Sequence, residues 1–352
     1  MKLVLFEDTN EQAQSLIAAL KAKLHQNDSV QHFIPAGEDE RIYDQRLIEA
    51  LAADPYRDAT LVIADRDLSK TPMFRGLSEP TVRRATAKLG IPECCYARSA
   101  IESDLIVAAE QPEACIAVSI QQGLDGCASQ IIAVAKGFVE ITERLGSEMD
   151  ATGKKSPGRT LAGLMGKPEY ADKIALYASG DQNRLTAVLE ARGHGLEEQR
   201  RRLACLLGYW LWDSVLRFPG VIVDEVAASS YLNIDAAEFH NDVSIKALFE
   251  SARYLGPFAG AKGDLWWRGV LDEIVASEES PHGQDFASKK LGRTIGQSKC
   301  CVDSTQAAGY YCMLSQKPVS LKNSKPGLPW FPRGADLARV STPKFEELGP
   351  WL

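Results

Sequence analysis

Within the first 125 residues, five short apolar runs alternate with stretches that carry helical spacing, and this alternation restricts the fold more than any other feature of the chain. The runs are Lys2–Phe6, Val30–Ile34, Thr60–Ala64, Ile91–Tyr96 and Cys115–Ile120. A strand that is apolar at nearly every position, rather than at every second one, needs cover on both faces, as in a parallel sheet. Between the first two runs, Ala13, Leu16, Ile17, Leu20 and Leu24 recur at three- and four-residue steps, which lines one face of a helix. Arg41–Ala52, Pro80–Leu89, Ser99–Ala109 and Ser129–Leu145 read as further helices, and Ser99 with Glu102 has capping-box spacing. The expected fold class is therefore α/β, a doubly wound five-stranded parallel sheet with helices on both faces. Ligand sites in such a sheet gather outside the carboxyl ends of the strands.

After a linker-like segment at 151–157 the pattern turns helical, with Thr160–Met165, Tyr170–Ala178, Asn183–Ala191, Leu196–Phe218, Ile245–Tyr254 and Trp266–Val275 as the expected helices. Residues 279–308 are polar and turn-rich. Tyr310–Leu314 with Pro318–Leu321 predicts a β-hairpin, and Leu337–Val340 a further strand. The expected organisation is a first domain at 1–150, a helical domain at 158–278 and a small β-containing segment at 279–352.

The net charge of −7 argues against a general nucleic-acid binder. Its distribution is uneven: residues 226–285 hold 4 basic and 10 acidic side chains, whereas residues 286–352 hold 10 and 4. The longest apolar run, Leu203 to Trp212, is about half of the roughly 20 residues that span a bilayer. Together with an N-terminus that turns acidic at Glu7, this reads as a cytoplasmic chain without a membrane segment. The eight cysteines have no regular spacing and read as buried thiols rather than a disulfide framework.

Candidate chemistry concentrates in the first domain. Glu7-Asp8 closes the first strand and Asp65 the third, and in this topology those ends are neighbours. Three converging carboxylates repel one another unless a hard cation such as Mg²⁺ lies between them. On these residues, the segment 1–125 resembles the receiver domain of bacterial response regulators. Leu3-Val4-Leu5-Phe6-Glu7-Asp8 is similar to that family's first strand and acidic pair. Leu61-Val62-Ile63-Ala64-Asp65 is similar to its third strand and phosphoacceptor, and Ile91-Pro92 also fits. The resemblance implies that Asp65 takes a phosphoryl group from a histidine kinase while Glu7, Asp8 and Asp65 hold Mg²⁺.

The departures from that family are equally specific. It places a hydroxyl residue at the end of the fourth strand, where this chain has Ala97, with Ser99 two residues on. It also needs a lysine after the fifth strand, but residues 89–135 contain no lysine and Arg98 as their sole cation. Without both groups a phosphoaspartate is poorly stabilised and poorly read. The expected function is a signalling or regulatory adaptor whose degenerate receiver binds a protein partner, such as a histidine-kinase-like protein. The alternatives are a phosphorylatable, DNA-binding response regulator and an enzyme housed in the C-terminal region.

Three weaker signals follow. Asp224–Ile234 followed by Asp235-Ala236-Ala237-Glu238 resembles a helix-turn-helix, but the acidity of the region favours ordinary helix packing with Asp235 as a cap. Cys300, Cys301 and Cys312 with His282 offer Zn²⁺ ligands without the usual two-residue spacing, so buried thiols are the expectation. For an enzyme, His240, Asp242, His282, Cys300 and Asp303 supply nucleophile and base types with no spacing that selects among them. The aromatic pairs Trp266-Trp267, Tyr310-Tyr311 and Trp330-Phe331 read as core.

Overall fold

The computed structural model describes residues 1–35, 44–68, 71, 74–97, 116–119, 123–150, 156–178, 195–329 and 331–348. The expected helices Ser99–Ala109 and Asn183–Ala191, the start of the helix expected from Arg41, Arg98, Ser99, Cys115 and Trp330 lie outside the described residues.

The chain forms two compact units. The first comprises residues 1–166, 181–210 and 256–261, and the second residues 167–180, 211–255 and 262–352. The first is built on five parallel strands: β1 (Lys2–Phe6), β2 (Ser29–His32), β3 (Leu61–Asp65), β4 (Glu93–Ala97) and β5 (Ile116–Ser119), in the order β2-β1-β3-β4-β5. This is the doubly wound, flavodoxin-type order, in which right-handed crossovers put helices on both faces. Leu3, Val4, Leu5 and Phe6 are fully buried, as are Leu61 to Ala64, which explains why neither strand alternates with polar residues.

Helix α1 (Asn10–Lys21) turns Ala13, Leu16 and Leu20 to the sheet, one apolar stripe of an otherwise polar helix. Helices α2 (Asp44–Ala52) and α3 (Glu79–Leu89) pack against each other, and Leu47, Leu51, Val82 and Ala85 join Val4, Phe6, Val62 and Ala64 in one core. Gly90 closes α3 at φ +65°, a left-handed cap that a Cβ would strain. The long helix α4 (Gly123–Asp150) packs against the helix Leu196–Trp210, and close approach is built in. Phe138 stands where a Cβ on Gly208 would go, and Phe258 fills the corresponding space at Gly137. Phe138 also meets Phe258 edge-to-face, with ring centroids 5.0 Å apart.

The second unit is helical with two small sheets. Strand β6 (Ile222–Asp224) pairs antiparallel with β7 (Leu265–Trp267). Strands β8 (Tyr310–Cys312), β9 (Lys317–Val319), β10 (Ser324–Lys325) and β11 (Ala338–Ser341) form a mixed sheet in the order β10-β11-β8-β9. The hairpin and the last strand therefore fall where the sequence places them.

Three expected elements are corrected. The helix expected over Trp266–Val275 begins only at Arg268, because both tryptophans are buried in β7 opposite Ile222 and Val223. The helix expected over Leu196–Phe218 ends at Trp210 and gives way to a π-helical turn, Leu211–Val215. The stretch 279–308 contains a helix, Gly283–Leu291, in which Phe286, Ala287 and Gly283 are the buried positions, too few for a periodic signal.

Candidate metal centre

The geometry of the first unit converges on three carboxylates. Glu7 and Asp8 follow the last residue of β1, and Asp65 is the last residue of β3, the central strand that pairs with β1. Phe6 stands opposite Ala64, so the two strands deliver their acids to the same edge of the sheet. One carboxylate oxygen from each of Glu7, Asp8 and Asp65 lies within 4.8 Å of the other two. All three side chains are buried, with residue exposures of 1 %, 7 % and 6 %. The structure thus brings together the three acids that the sequence singles out.

Buried carboxylates require hydrogen-bond donors. Glu7 Oε1 accepts the amide of Thr9 at 2.9 Å, and Glu7 Oε2 accepts the hydroxyl of Tyr96. Asp8 Oδ2 accepts the amide of Thr71 at 3.0 Å, and Asp8 Oδ1 the Thr9 hydroxyl at 3.3 Å. Asp65 Oδ1 accepts the amide of Asp67 at 3.2 Å. His32 Nε2 lies 2.7 Å from the carbonyl of Glu7 and pins the turn that follows β1. These bonds hold three oxygens-only ligands in place, and an all-oxygen donor set suits a hard cation such as Mg²⁺ and not a thiophilic one.

Tyr96 is the residue of this site that sequence reasoning missed. It lies on β4 opposite Asp65 and is 4 % exposed. Burial, then the hydrogen bond and negative charge of Glu7, and then the charge of Asp65 push its phenol far above the ordinary tyrosine range. The phenol is a committed neutral donor to Glu7. The signal was present in the register, since a residue at the end of β4 must face the acid at the end of β3. The next residue, Ala97, ends β4 and pairs with Ser119, so an alanine does stand at that strand's end.

The other candidates are engaged separately. Asp235 accepts from the amides of Ala237 and Glu238 at 3.0 and 3.1 Å and caps the helix Ala236–Asn241, as the helix-packing reading expects. His240 Nδ1 lies 2.9 Å from Glu225, Asp242 pairs with Arg293 and caps Val243–Leu248, and Asp303 accepts from Thr305 and Gln306. Among the described residues, Glu7, Asp8 and Asp65 are the one set of three His, Cys, Asp or Glu side chains with ligand atoms within 4.8 Å, so His282 and the cysteines form no such set. No described helix is long and apolar enough to cross a membrane. No family model, no curated protein and no solved structure matches the chain.

Proposed function

We propose that residues 1–125 are a degenerate receiver that serves as a protein-interaction module in a signalling or regulatory adaptor. The observation that carries this reading is a pairing of opposites at one sheet edge. Glu7, Asp8 and Asp65 converge as a phosphoacceptor site requires, while β4 ends in Tyr96 and Ala97 and not in a hydroxyl residue that can bond a phosphoryl oxygen. The Tyr96 hydroxyl occupies Glu7 Oε2, and the Thr9 amide occupies Oε1, so Glu7 already carries a donor on each oxygen. The stretch that would provide the phosphoryl-binding lysine, 89–135, contains none.

In this reading Glu7, Asp8 and Asp65 would hold Mg²⁺, which neutralises charge at Asp65. Tyr96 and the amides of Thr9, Thr71 and Asp67 keep the acids positioned. The partner is a protein, a histidine-kinase-like one in the first instance, and the setting is the cytoplasm. Binding through a constitutive surface does not require a change of charge at Asp65. The DNA-binding alternative is disfavoured by the cap role of Asp235 and by the acidity of residues 226–285.

The test is incubation of the full chain with acetyl phosphate and Mg²⁺, followed by intact mass and sizing, beside Asp65→Asn. Labelling of a minor fraction with no change in elution is expected. Near-complete addition of one phosphoryl group, absent in Asp65→Asn and coupled to a change in oligomeric state, would overturn the reading.

A further inference from the structure

The segment after β3 places a hydroxyl without a partner beside the three acids. Both backbone polar groups of Thr71 are engaged. Its amide donates to Asp8 Oδ2 at 3.0 Å, and its carbonyl accepts the amide of Phe74 at 3.2 Å. Phe74 is 1 % exposed and lies in the core that α2 and α3 share with β1 and β3. Thr71 is therefore held by packing on one side and by an acid of the site on the other. The atom left over is Oγ1, a near covalent neighbour of the amide that bonds Asp8.

Thr71 Oγ1 is itself buried, yet among the described residues it has no hydrogen-bond partner. Burying a hydroxyl in that state is unfavourable, and such an atom in a folded chain marks a place where a water or an ion belongs. A hydroxyl next to carboxylates ordinarily donates to one of them, as Thr9 does to Asp8 Oδ1 at 3.3 Å. Thr71 Oγ1 makes no such bond. Its lone pairs are unused as well. Glu7, Asp8 and Asp65 bring three negative charges to a divalent cation, so a further protein ligand has to be neutral. Mg²⁺ takes about six oxygens, and in P-loop NTPases a Ser or Thr hydroxyl is one of them.

We propose that the Thr71 hydroxyl supplies a neutral oxygen to the coordination shell of the cation held by Glu7, Asp8 and Asp65. The inference rests on the reading of those acids as a Mg²⁺ site. It adds to the strand ends a fourth residue, one that follows β3 by several positions and is anchored through Phe74. Without the ion the hydroxyl is a cost to the fold, and with the ion it is a ligand. Ion binding therefore ties the segment after β3 to the end of β1.

The experiment compares the full wild-type chain with Thr71→Val, Thr71→Ser and Asp65→Asn. Calorimetric titration gives the Mg²⁺ affinity, and thermal midpoints are recorded in excess chelator. Valine keeps the branched shape and removes the hydroxyl, while serine keeps the hydroxyl. Thr71→Val should bind Mg²⁺ at least about tenfold more weakly than the wild type, and Thr71→Ser should stay close to it. In chelator, the midpoint of Thr71→Val should equal or exceed that of the wild type, because the change removes a buried hydroxyl that nothing satisfies. A hydroxyl with a purely structural role would lower that midpoint when removed, and this result would overturn the proposal. Equal Mg²⁺ affinity in Thr71→Val and wild type, with Asp65→Asn weaker, would overturn it too and leave the acids standing as a Mg²⁺ site. No Mg²⁺ uptake by the wild type would remove both.

Discussion

The hydroxyl of Tyr96 donates to Oε2 of Glu7, joining the end of the fourth strand to the first across 89 residues of sequence. A buried carboxylate that loses its donor bears its desolvation cost uncompensated, on the order of 1–3 kcal/mol. Tyr96→Phe should therefore lower the thermal midpoint in the absence of divalent cations. It also frees Glu7 Oε2 for a metal ion. The rise in midpoint produced by Mg²⁺ should thus be larger in Tyr96→Phe than in the wild type. Equal midpoints with and without Mg²⁺ in both proteins would show that the acidic cluster takes no Mg²⁺.

The same phenol sets an alkaline limit. Its folded pKa is raised by burial and by Glu7, so the folded state keeps a proton that the unfolded chain loses near pH 10. The contribution is fully present below about pH 10 and is lost progressively above it. Tyr311, which burial and the charge of Asp224 shift in the same direction, acts alike in the second unit. Urea midpoints measured between pH 9 and 11.5 should fall less steeply for Tyr96→Phe than for the wild type. A parallel decline would contradict the assignment.

Gly208 is a packing requirement of the first unit. A Cβ there would stand 2.3 Å from Phe138 Cε1, well inside contact distance. Gly208→Ala should destabilise by about 1–3 kcal/mol, the usual range for overpacking. The pair Gly208→Ala with Phe138→Leu should cost less than the sum of the two single changes, because the smaller side chain removes the clash. Additivity in denaturant unfolding would show that the clash relaxes elsewhere.

Asp235 caps a helix, and its replacement should act locally. Asp235→Ala is expected to cost about 1 kcal/mol through the lost bonds to the amides of Ala237 and Glu238. It should leave association with duplex DNA absent at low salt, as in the wild type. Salt-dependent DNA binding by the wild-type chain that Asp235→Ala weakens would restore the helix-turn-helix reading.

The parallel sheet was legible because its strands are buried on both faces, and a continuous apolar run such as Leu61-Val62-Ile63-Ala64 has few other uses. The acids were legible because the carboxyl ends of β1 and β3 are neighbours in that topology. Tyr96 was not, since a tyrosine in an apolar run reads as core until register sets it against Asp65. The Trp266-Trp267 strand was hidden for a related reason. Its partner, β6, is three residues long and lies more than forty residues earlier, too short to announce itself.

The path of the chain through its two units bears on how it is made. The first unit receives its last piece, residues 256–261, about 45 residues after its preceding segment ends at residue 210. At roughly 5–20 residues per second, several seconds of translation separate the appearance of Gly137 from that of the Phe258 ring that fills the space beside it. The nascent sheet and α4 must wait with an apolar notch open. A chain ending within that interval would lack the ring that fills the space beside Gly137.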